Sequence, residues 1–221
     1  MRVVIVGGGI SGLSAAYALD NTDHEILLLE SSNRLGGKIL TTEVAGSYID
    51  AGPDAFLTRD PEMRELCDSL GLSEELVAPA AQSAKIWVNG SMHALPKRNF
   101  LGVPLDLDEL ENLSIISSEG IAEARSDLHR LGNEPDEEET AGSLIRRRLG
   151  NEVMNNLVGP LLGGINAGDA DALSLESGFP YLFQASRGDP SLIRSIRSFL
   201  EKQNRDPSEP VFLTHPDGMQ R

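Results

Sequence analysis

The sequence predicts an α/β protein, on the pattern of its first thirty residues and a change of pattern after about residue 105. Residues 3–6 form a short apolar, β-branched run, which indicates a buried parallel strand. A G-x-G-x-x-G turn follows at residues 7–12, and residues 13–19 open a helix. Residues 25–29 are a second apolar strand, whereas the chain beyond residue 105 is mainly helical. This order predicts a Rossmann-like βαβ unit joined to a helical region.

The glycine turn is typical of a site that binds a pyrophosphate. The first glycine permits the tight turn, the second lets the backbone approach the phosphates, and the third lets helix and strand pack closely. Free N–H groups at the helix N-terminus face the anion. The alternative is a purely structural glycine turn, which the strand–turn–helix context disfavours. The predicted cofactor contacts in this turn are Gly7, Gly8, Gly9, Ile10, Ser11 and Gly12.

Glu30 ends the second strand about twenty residues after the glycines. An acidic side chain at this spacing accepts hydrogen bonds from a ribose. A strand-end carboxylate in solvent is the alternative interpretation. The glycine turn and Glu30 together predict an adenine dinucleotide, either NAD or FAD.

The segment after Glu30 favours FAD. Arg34 is followed by Gly36 and Gly37, and in this segment the chain resembles the amine-oxidase-like flavoproteins. Arg34 can neutralise the pyrophosphate from the side opposite the helix, and the paired glycines bring backbone N–H groups close to the cofactor. A surface charge at Arg34 is the alternative.

Further segments resemble the protoporphyrinogen and coproporphyrinogen oxidases. Residues 48–57 resemble the loop beneath the flavin ring, and residues 148–153, 163–169 and 179–183 match other family motifs. Lys38, the Gly52-Pro53-Asp54 triplet and residues 102–104 look more like the bacterial coproporphyrinogen III oxidases than the mitochondrial enzymes. By this match, further FAD contacts are Ser31, Lys38, Gly52, Pro53, Asp54 and Ala55.

The resemblance implies oxidation of coproporphyrinogen III to coproporphyrin III in haem biosynthesis, with electrons passed to O₂ and release of H₂O₂. Protoporphyrinogen IX oxidation, or another flavin amine oxidase or desaturase, is the alternative. No catalytic side chain is singled out. The family loop near the porphyrinogen corresponds to Gly164, Ile165, Asn166 and Ala167, although tight helix packing explains these residues equally well. Arg59, Lys97 and Arg98 are candidate partners for propionates.

Domain organisation follows the same resemblance. It implies an FAD-binding domain at residues 1–84, a substrate-binding hairpin and helical region at 85–205, and the start of a return to the FAD domain at 206–221. Because family members are about twice as long, the chain is predicted to be an N-terminal fragment. A non-catalytic chain that binds cofactor weakly or cannot fold alone is a separate hypothesis, compatible with porphyrinogen oxidation by the complete gene product. A naturally short binding module is the alternative.

Composition restricts the partners. The net charge of −15 predicts no binding to nucleic acid and no general attraction to anionic lipid. Cys67 is the only cysteine and lies in an amphipathic pattern, which indicates a buried packing thiol. The four histidines lack metal-ligand spacing, so no metal is predicted. With no long apolar stretch or secretory signal, we expect a cytoplasmic protein, with peripheral membrane contact and homo-oligomers left open.

The remaining elements follow from local patterns. Residues 38–44 and 47–51 are predicted to be extended around a turn at 45–46, and residues 61–70 to form a helix with Asp60 as its N-cap. Asn89-Gly90 predicts a hairpin between residues 85–88 and 91–95. Further helices are predicted at 117–131, 141–149, 152–162 and 191–202, with a charged loop at 134–139. The Arg146-Arg147-Arg148 run indicates a solvated helix face rather than an anion site.

Overall fold

The computed structural model describes residues 1–81, 84–132, 139–202 and 209–221. The chain divides into two compact units: unit 1 contains Met1–Gln82 and Pro207–Arg221, and unit 2 contains Ser83–Asp206. Residues 134–138 of the predicted charged loop lie outside the described residues.

Short strands dominate the first half of the chain, and helices dominate the second half. The strands are β1 (Arg2–Val6), β2 (Glu25–Leu29), β3 (Thr41–Val44), β4 (Ser47–Asp50), β5 (Phe56–Leu57), β6 (Lys85–Val88), β7 (Ser91–Ala94), β8 (Asn99–Phe100), β9 (Val103–Pro104) and β10 (Phe212–Leu213). The α-helices are α1 (Ile10–Leu19), α2 (Glu62–Ser69), α3 (Ser118–Ser126), α4 (Ala141–Leu149), α5 (Asn151–Val153), α6 (Gly159–Asn166), α7 (Leu175–Gly178), α8 (Pro180–Ser186) and α9 (Leu192–Lys202). Met154–Val158 is π-helical and joins α5 to α6, and 3₁₀ turns lie at Ser73–Glu75, Glu109–Asn112 and Asp127–His129.

Strands β1 and β2 of unit 1 pair in parallel, with Val3 opposite Ile26 and Val6 opposite Leu29. The predicted βαβ pairing is therefore confirmed. The prediction of a buried first strand is wrong, because Val4 is 51% exposed and Val6 is 83% exposed. Within the described residues β1 and β2 pair only with each other, so each strand of this two-stranded sheet has an outer edge without a strand partner.

The rest of unit 1 contains a hairpin, a helix and a return strand. Strands β3 and β4 pair around the predicted turn at residues 45–46. Helix α2 follows Pro61, whose backbone already has helical dihedral angles (φ −74°, ψ −19°), and the capping of this helix by Asp60 stays a prediction. The fixed φ of proline already places Pro61 in the helical region. Cys67 is buried as predicted, and burial raises the pKa of its thiol.

Unit 2 has the larger core. The hairpin of β6 and β7 forms around Asn89-Gly90 as predicted, with Trp87 opposite Met92. Helix α4 has the predicted limits, since a Thr140–Ser143 capping box starts it and Gly150 follows its end. The helix predicted at 152–162 extends from α5 to α6, and the helix predicted at 117–131 becomes α3 followed by a 3₁₀ turn. Within the described ranges, each helix is too short or too polar to cross a lipid bilayer.

A buried ion pair joins three elements of unit 2. The side chains of Arg148 and Asp127 have no exposed surface, and Arg148 Nε lies 3.0 Å from Asp127 Oδ1. Asp127 also accepts hydrogen bonds from the Ser191 hydroxyl at 2.7 Å and from the N–H groups of Leu192 and Ile193 at 3.1 and 3.0 Å. The carboxylate thus caps the start of α9 while it neutralises a side chain of α4.

The predicted solvated face is therefore wrong for Arg148. On a helix, residue 148 shares a face with Leu144 and Ile145, both fully buried in the core. Burial lowers the pKa of the Arg148 guanidinium, and the hydrogen bond to Asp127 opposes this shift. Arg146 and Arg147 point to other sides of α4, and each pairs with a carboxylate.

Replacing Asp127 with Asn should destabilise unit 2 strongly, because Arg148 would remain buried and charged without a counter-ion. The expected loss is about 3–5 kcal/mol of unfolding free energy, measured by urea denaturation at neutral pH. Asp108→Asn is the matched control, since Asp108 pairs with Arg125 but its side chain is 78% exposed. That change should cost less than about 1 kcal/mol. Equal losses in the two variants would contradict the role given to Asp127.

Candidate functional site

The glycine turn joins β1 to α1 and leaves donors free. Gly9 is the N-cap of α1 and has no side-chain cap. The first hydrogen bond of the helix runs from the N–H of Leu13 to the carbonyl of Gly9 at 2.9 Å, so the N–H groups of Ser11 and Gly12 precede the helical ladder of the described residues. A Cβ at Gly12 would overlap the carbonyl oxygen of Gly7, so only glycine lets the helix start this close to the turn. The first turn of α1 therefore offers unpaired donors and a positive dipole end to an anion.

Glu30 follows β2 and ties this strand to the glycine turn. Its Oε2 accepts the N–H of Gly8 at 2.7 Å, and its Oε1 accepts the N–H of Ser32 at 2.7 Å and the hydroxyl of Ser31 at 3.3 Å. The hydrogen bonds from Ser32 and Gly8 lower the pKa of Glu30 to about 2. The carboxylate is therefore ionised at neutral pH, and its remaining lone pairs can accept ribose hydroxyls.

The Gly36-Gly37 loop lies directly against the glycine turn. Gly36 donates its N–H to the carbonyl of Gly8 at 2.7 Å, and a β-bridge links Gly9 to Gly36. A Cβ on Gly37 would lie 3.0 Å from the Cα of Gly9. The two loops that the sequence singled out separately therefore form one continuous backbone surface.

Arg34 shapes this second loop. Its Nη1 donates to the carbonyls of Leu35 and Ile39, both at 3.1 Å, and its Nη2 donates to the carbonyl of Gly37. The guanidinium holds the paired glycines in their turn by these three bonds. Its predicted contact with the pyrophosphate stays a prediction.

Lys38 and the Gly52-Pro53-Asp54-Ala55 segment lie side by side. A Cβ at Gly52 would overlap the carbonyl oxygen of Lys38, so the two backbones are in direct contact. The carbonyl of Asp54 accepts the hydroxyl of Thr214 at 2.7 Å. The Lys38 side chain is exposed and forms no hydrogen bond or ion pair with the described residues. Unit 1 thus collects all the predicted cofactor contacts.

The predicted substrate residues are divided between the units. Gly164, Ile165, Asn166 and Ala167 are exposed at the end of α6 in unit 2. Lys97 and Arg98 are exposed in the same unit, and in the described ranges neither side chain has a hydrogen-bond or ion-pair partner. Arg59 lies in unit 1, close to Asp60.

Some supporting residues were missed in the sequence. Thr214 bonds to the segment at Asp54, and His215 Nε2 lies 2.9 Å from Glu75 Oε2, each across at least 140 residues of chain. Pairings between residues so far apart in the chain cannot be predicted from a local sequence pattern. Among the described residues, no group of His, Cys, Asp and Glu is placed to hold a metal ion.

A parallel βαβ unit with an open helix N-terminus, an ionised carboxylate at the second strand and a second glycine loop defines a dinucleotide-binding α/β protein. The family comparison is more specific. A family model described as flavin containing amine oxidoreductase matches residues 10–221, and the chain belongs to this family. The predicted family, α/β fold class and flavin cofactor are thereby confirmed.

Individual relatives of this chain are named as porphyrinogen oxidases. The chain is 38% identical over 202 residues to a coproporphyrinogen III oxidase of Bacillus subtilis, covering 89% of this chain and 43% of that protein. It is 34% identical over 219 residues to a coproporphyrinogen III oxidase of Staphylococcus aureus, covering 98% and 47%. A crystal structure of a candidate protoporphyrinogen oxidase from Exiguobacterium sp. 255-15 is 33% identical, with a TM-score of 0.81, and covers 99% and 48%. The chain spans about half the length of these relatives.

The bonds to Glu30 predict an acid-sensitive contribution to stability. Because the folded-state pKa of Glu30 is lowered to about 2, its contribution is complete above the ordinary pKa of about 4.3 and is lost as the pH falls towards about 2. The measurement is urea denaturation of the unmodified protein and of Glu30→Gln from about pH 7 to about pH 2.5. The difference between their unfolding free energies should shrink over the acidic part of this range.

Glu25→Gln is the control for this experiment. Glu25 lies at the other end of β2, and its side chain is 68% exposed beside Arg2. Its replacement should have a small effect throughout. A Glu30→Gln difference that is independent of pH would show that the hydrogen bonds to Gly8 and Ser32 do not act through the charge of Glu30.

Proposed function

We propose that this chain acts in the FAD-dependent oxidation of coproporphyrinogen III to coproporphyrin III. The observation that carries the proposal is the contact between the Gly36-Gly37 loop and the glycine turn, in a chain whose 34–38% identical relatives are named coproporphyrinogen III oxidases. The contact between the glycine turn and the Gly36-Gly37 loop supports a flavin dinucleotide as the cofactor. The names of the relatives support coproporphyrinogen III as the substrate. The complete activity, its substrate and its partners all belong to this proposal.

Unit 1 contains residues that can bind the pyrophosphate and the ribose of FAD and residues that can lie near its flavin ring. The N–H groups of Ser11 and Gly12 at the start of α1 can bind the pyrophosphate, and Glu30 can accept the ribose hydroxyls. The loop at Gly36-Gly37 and the segment at residues 52–55 can line the path towards the flavin ring. Lys38 is a free cation beside that path, and we assign it to the negative charge of the cofactor.

Bound FAD would supply the two-electron redox chemistry that links the porphyrinogen to O₂ in each of three rounds. Over the three rounds the porphyrinogen loses six electrons and six hydrogens, and three O₂ become three H₂O₂. The chain's task is to hold the macrocycle and the cofactor in position and to exclude water. This chemistry requires no strong acid–base pair from the protein.

The substrate would be bound by unit 2. Residues 164–167 expose backbone and small side chains, which a flat macrocycle can approach closely. Lys97 and Arg98 carry positive charges without partners among the described residues, and we assign them to the carboxylates of the substrate. Local cations are needed because the overall charge of −15 repels a tetracarboxylate.

Protoporphyrinogen IX oxidation is the second candidate, favoured by the description of the Exiguobacterium structure. The two substrates differ in the number of carboxylates, so the free cations at Lys97 and Arg98 favour coproporphyrinogen. A cytoplasmic location, the absence of nucleic-acid partners and O₂ as the electron acceptor stay predictions, and so do peripheral membrane contact and the oligomeric state.

The direct test is to purify the complete gene product, record its flavin absorption and supply each porphyrinogen in turn under oxygen. Coproporphyrinogen III should give porphyrin fluorescence well above the autoxidation blank, with H₂O₂ released in step. Fluorescence only with protoporphyrinogen IX would reverse the choice of substrate. No fluorescence above the blank with either substrate would overturn the proposal.

Gly12→Ala should abolish flavin binding, because the new methyl group would overlap the Gly7 carbonyl and displace the start of α1. The measurement is the flavin absorption of the purified variant, with circular dichroism to verify that its secondary structure is retained. Gly178→Ala is the control, since a Cβ there meets no atom within 4 Å, and it should retain flavin. Full flavin occupancy in a folded Gly12→Ala variant would refute the assignment of this turn to the cofactor.

A further inference from the structure

The exposed end of α6 has a conformation that its own packing does not explain. A Cβ on Gly164 would meet no described atom within 4 Å, although a glycine inside a helix costs about 1 kcal/mol relative to alanine. Ile165 is 60% exposed, and Ala167 has φ 48° and ψ 39°, a left-handed conformation that disfavours any residue with a Cβ. Something must hold these residues in this shape.

Arg146 of α4 provides the connection. Its Nε and Nη2 donate to Asp171 Oδ1 and Oδ2 at 3.2 and 2.8 Å, a two-bond contact with one carboxylate. Its Nη1 donates to the Oδ1 atoms of Asn151 at 3.0 Å and Asn155 at 2.9 Å. One guanidinium thus joins α4, the helix that leads into α6, and the segment that follows α6.

The segment around Asp171 is also fixed to the start of α4 by its backbone. Gly142 donates its N–H to the carbonyl of Ala170 at 2.9 Å, and Ala141 donates to the carbonyl of Leu173 at 3.1 Å. A Cβ at Gly142 would overlap Asp171 Oδ1, so the carboxylate lies directly on the helix backbone. The hydrogen bond from Arg146 lowers the pKa of Asp171, which therefore remains ionised.

Few residues separate Asp171, which Arg146 holds in place, from the exposed end of α6. Helix α6 ends at Asn166, and only residues 167–169 separate it from Ala170. Because this connection has only three residues, we expect a displacement of Asp171 to move the left-handed turn at Ala167. Arg146 itself is not available to a ligand's carboxylate, because four of its five N–H donors already have acceptors.

We propose that Arg146, acting through Asp171, is a positioning residue that holds residues 164–167 in the shape that receives the flat porphyrinogen. The inference rests on the proposed function and adds a residue outside the predicted site. Arg146 does not touch the reacting atoms. Its effect is on the fit of the substrate and not on the flavin.

The test uses Arg146→Lys and Asp171→Asn in the complete, FAD-loaded gene product. Lysine keeps the charge but cannot make the paired contact with the carboxylate. Each variant should raise KM for coproporphyrinogen III by about tenfold, with kcat and flavin absorption nearly unchanged. The double variant should be no worse than either single one, because both remove the same contact.

Arg125→Lys is the matched control. Arg125 also lies in unit 2 and bonds two carboxylates, those of Asp108 and Glu111, with side-chain exposure of 40% against 32% for Arg146. It should leave KM unchanged. An active enzyme whose KM is unaffected by Arg146→Lys, with only its melting temperature lowered, would overturn the inference. No porphyrin formation by the unmodified enzyme would instead overturn the proposed function, and the inference with it.

Discussion

Direct contact between separate stretches of backbone holds the dinucleotide site of unit 1 together. Gly12 lies against the carbonyl of Gly7, and Gly52 lies against the carbonyl of Lys38. At both positions the first carbon of any side chain would occupy the place of an oxygen atom. The N–H of Gly36, bonded to Gly8, joins the two pairs into one surface. The spacing of the site is therefore set by hydrogen-bond and van der Waals contact distances, and flexible side chains contribute little to it.

Local patterns allowed much of the fold to be predicted from the sequence. The βαβ unit, the Asn89-Gly90 hairpin and helix α4 each depend on residues within one element or one turn. The pairing of β5 with β10 was not predicted, because each strand has two residues and they lie some 155 positions apart. The apolar run of β1 indicates a strand that can be buried, but it does not tell whether a neighbour is present to bury it. Arg148 was misassigned for a similar reason, since its counter-ion Asp127 lies in another element.

The site shows the same division between local and distant information. The glycine turn and Glu30 could be identified by spacing alone, because that spacing is a property of a single βαβ unit. The bonds of Arg34 to three carbonyls of its own loop could not, since they depend on how the loop closes. At residues 163–164 the sequence left helix packing and ligand approach open. A Cβ on Gly163 would lie 3.2 Å from the carbonyl of Gly168, whereas Gly164 has no such neighbour among the described residues. Packing thus accounts for the first glycine of the pair and not for the second.

The exposed edge of β1 also affects the tendency of this chain to self-associate. A strand with an unpaired edge and exposed valines is a template on which a strand from another molecule can add. The net charge of −15 keeps the molecules apart at low ionic strength, and added salt removes that repulsion by screening it. The unpaired edge of β1 is therefore a place at which copies of this chain can associate in concentrated salt by strand addition.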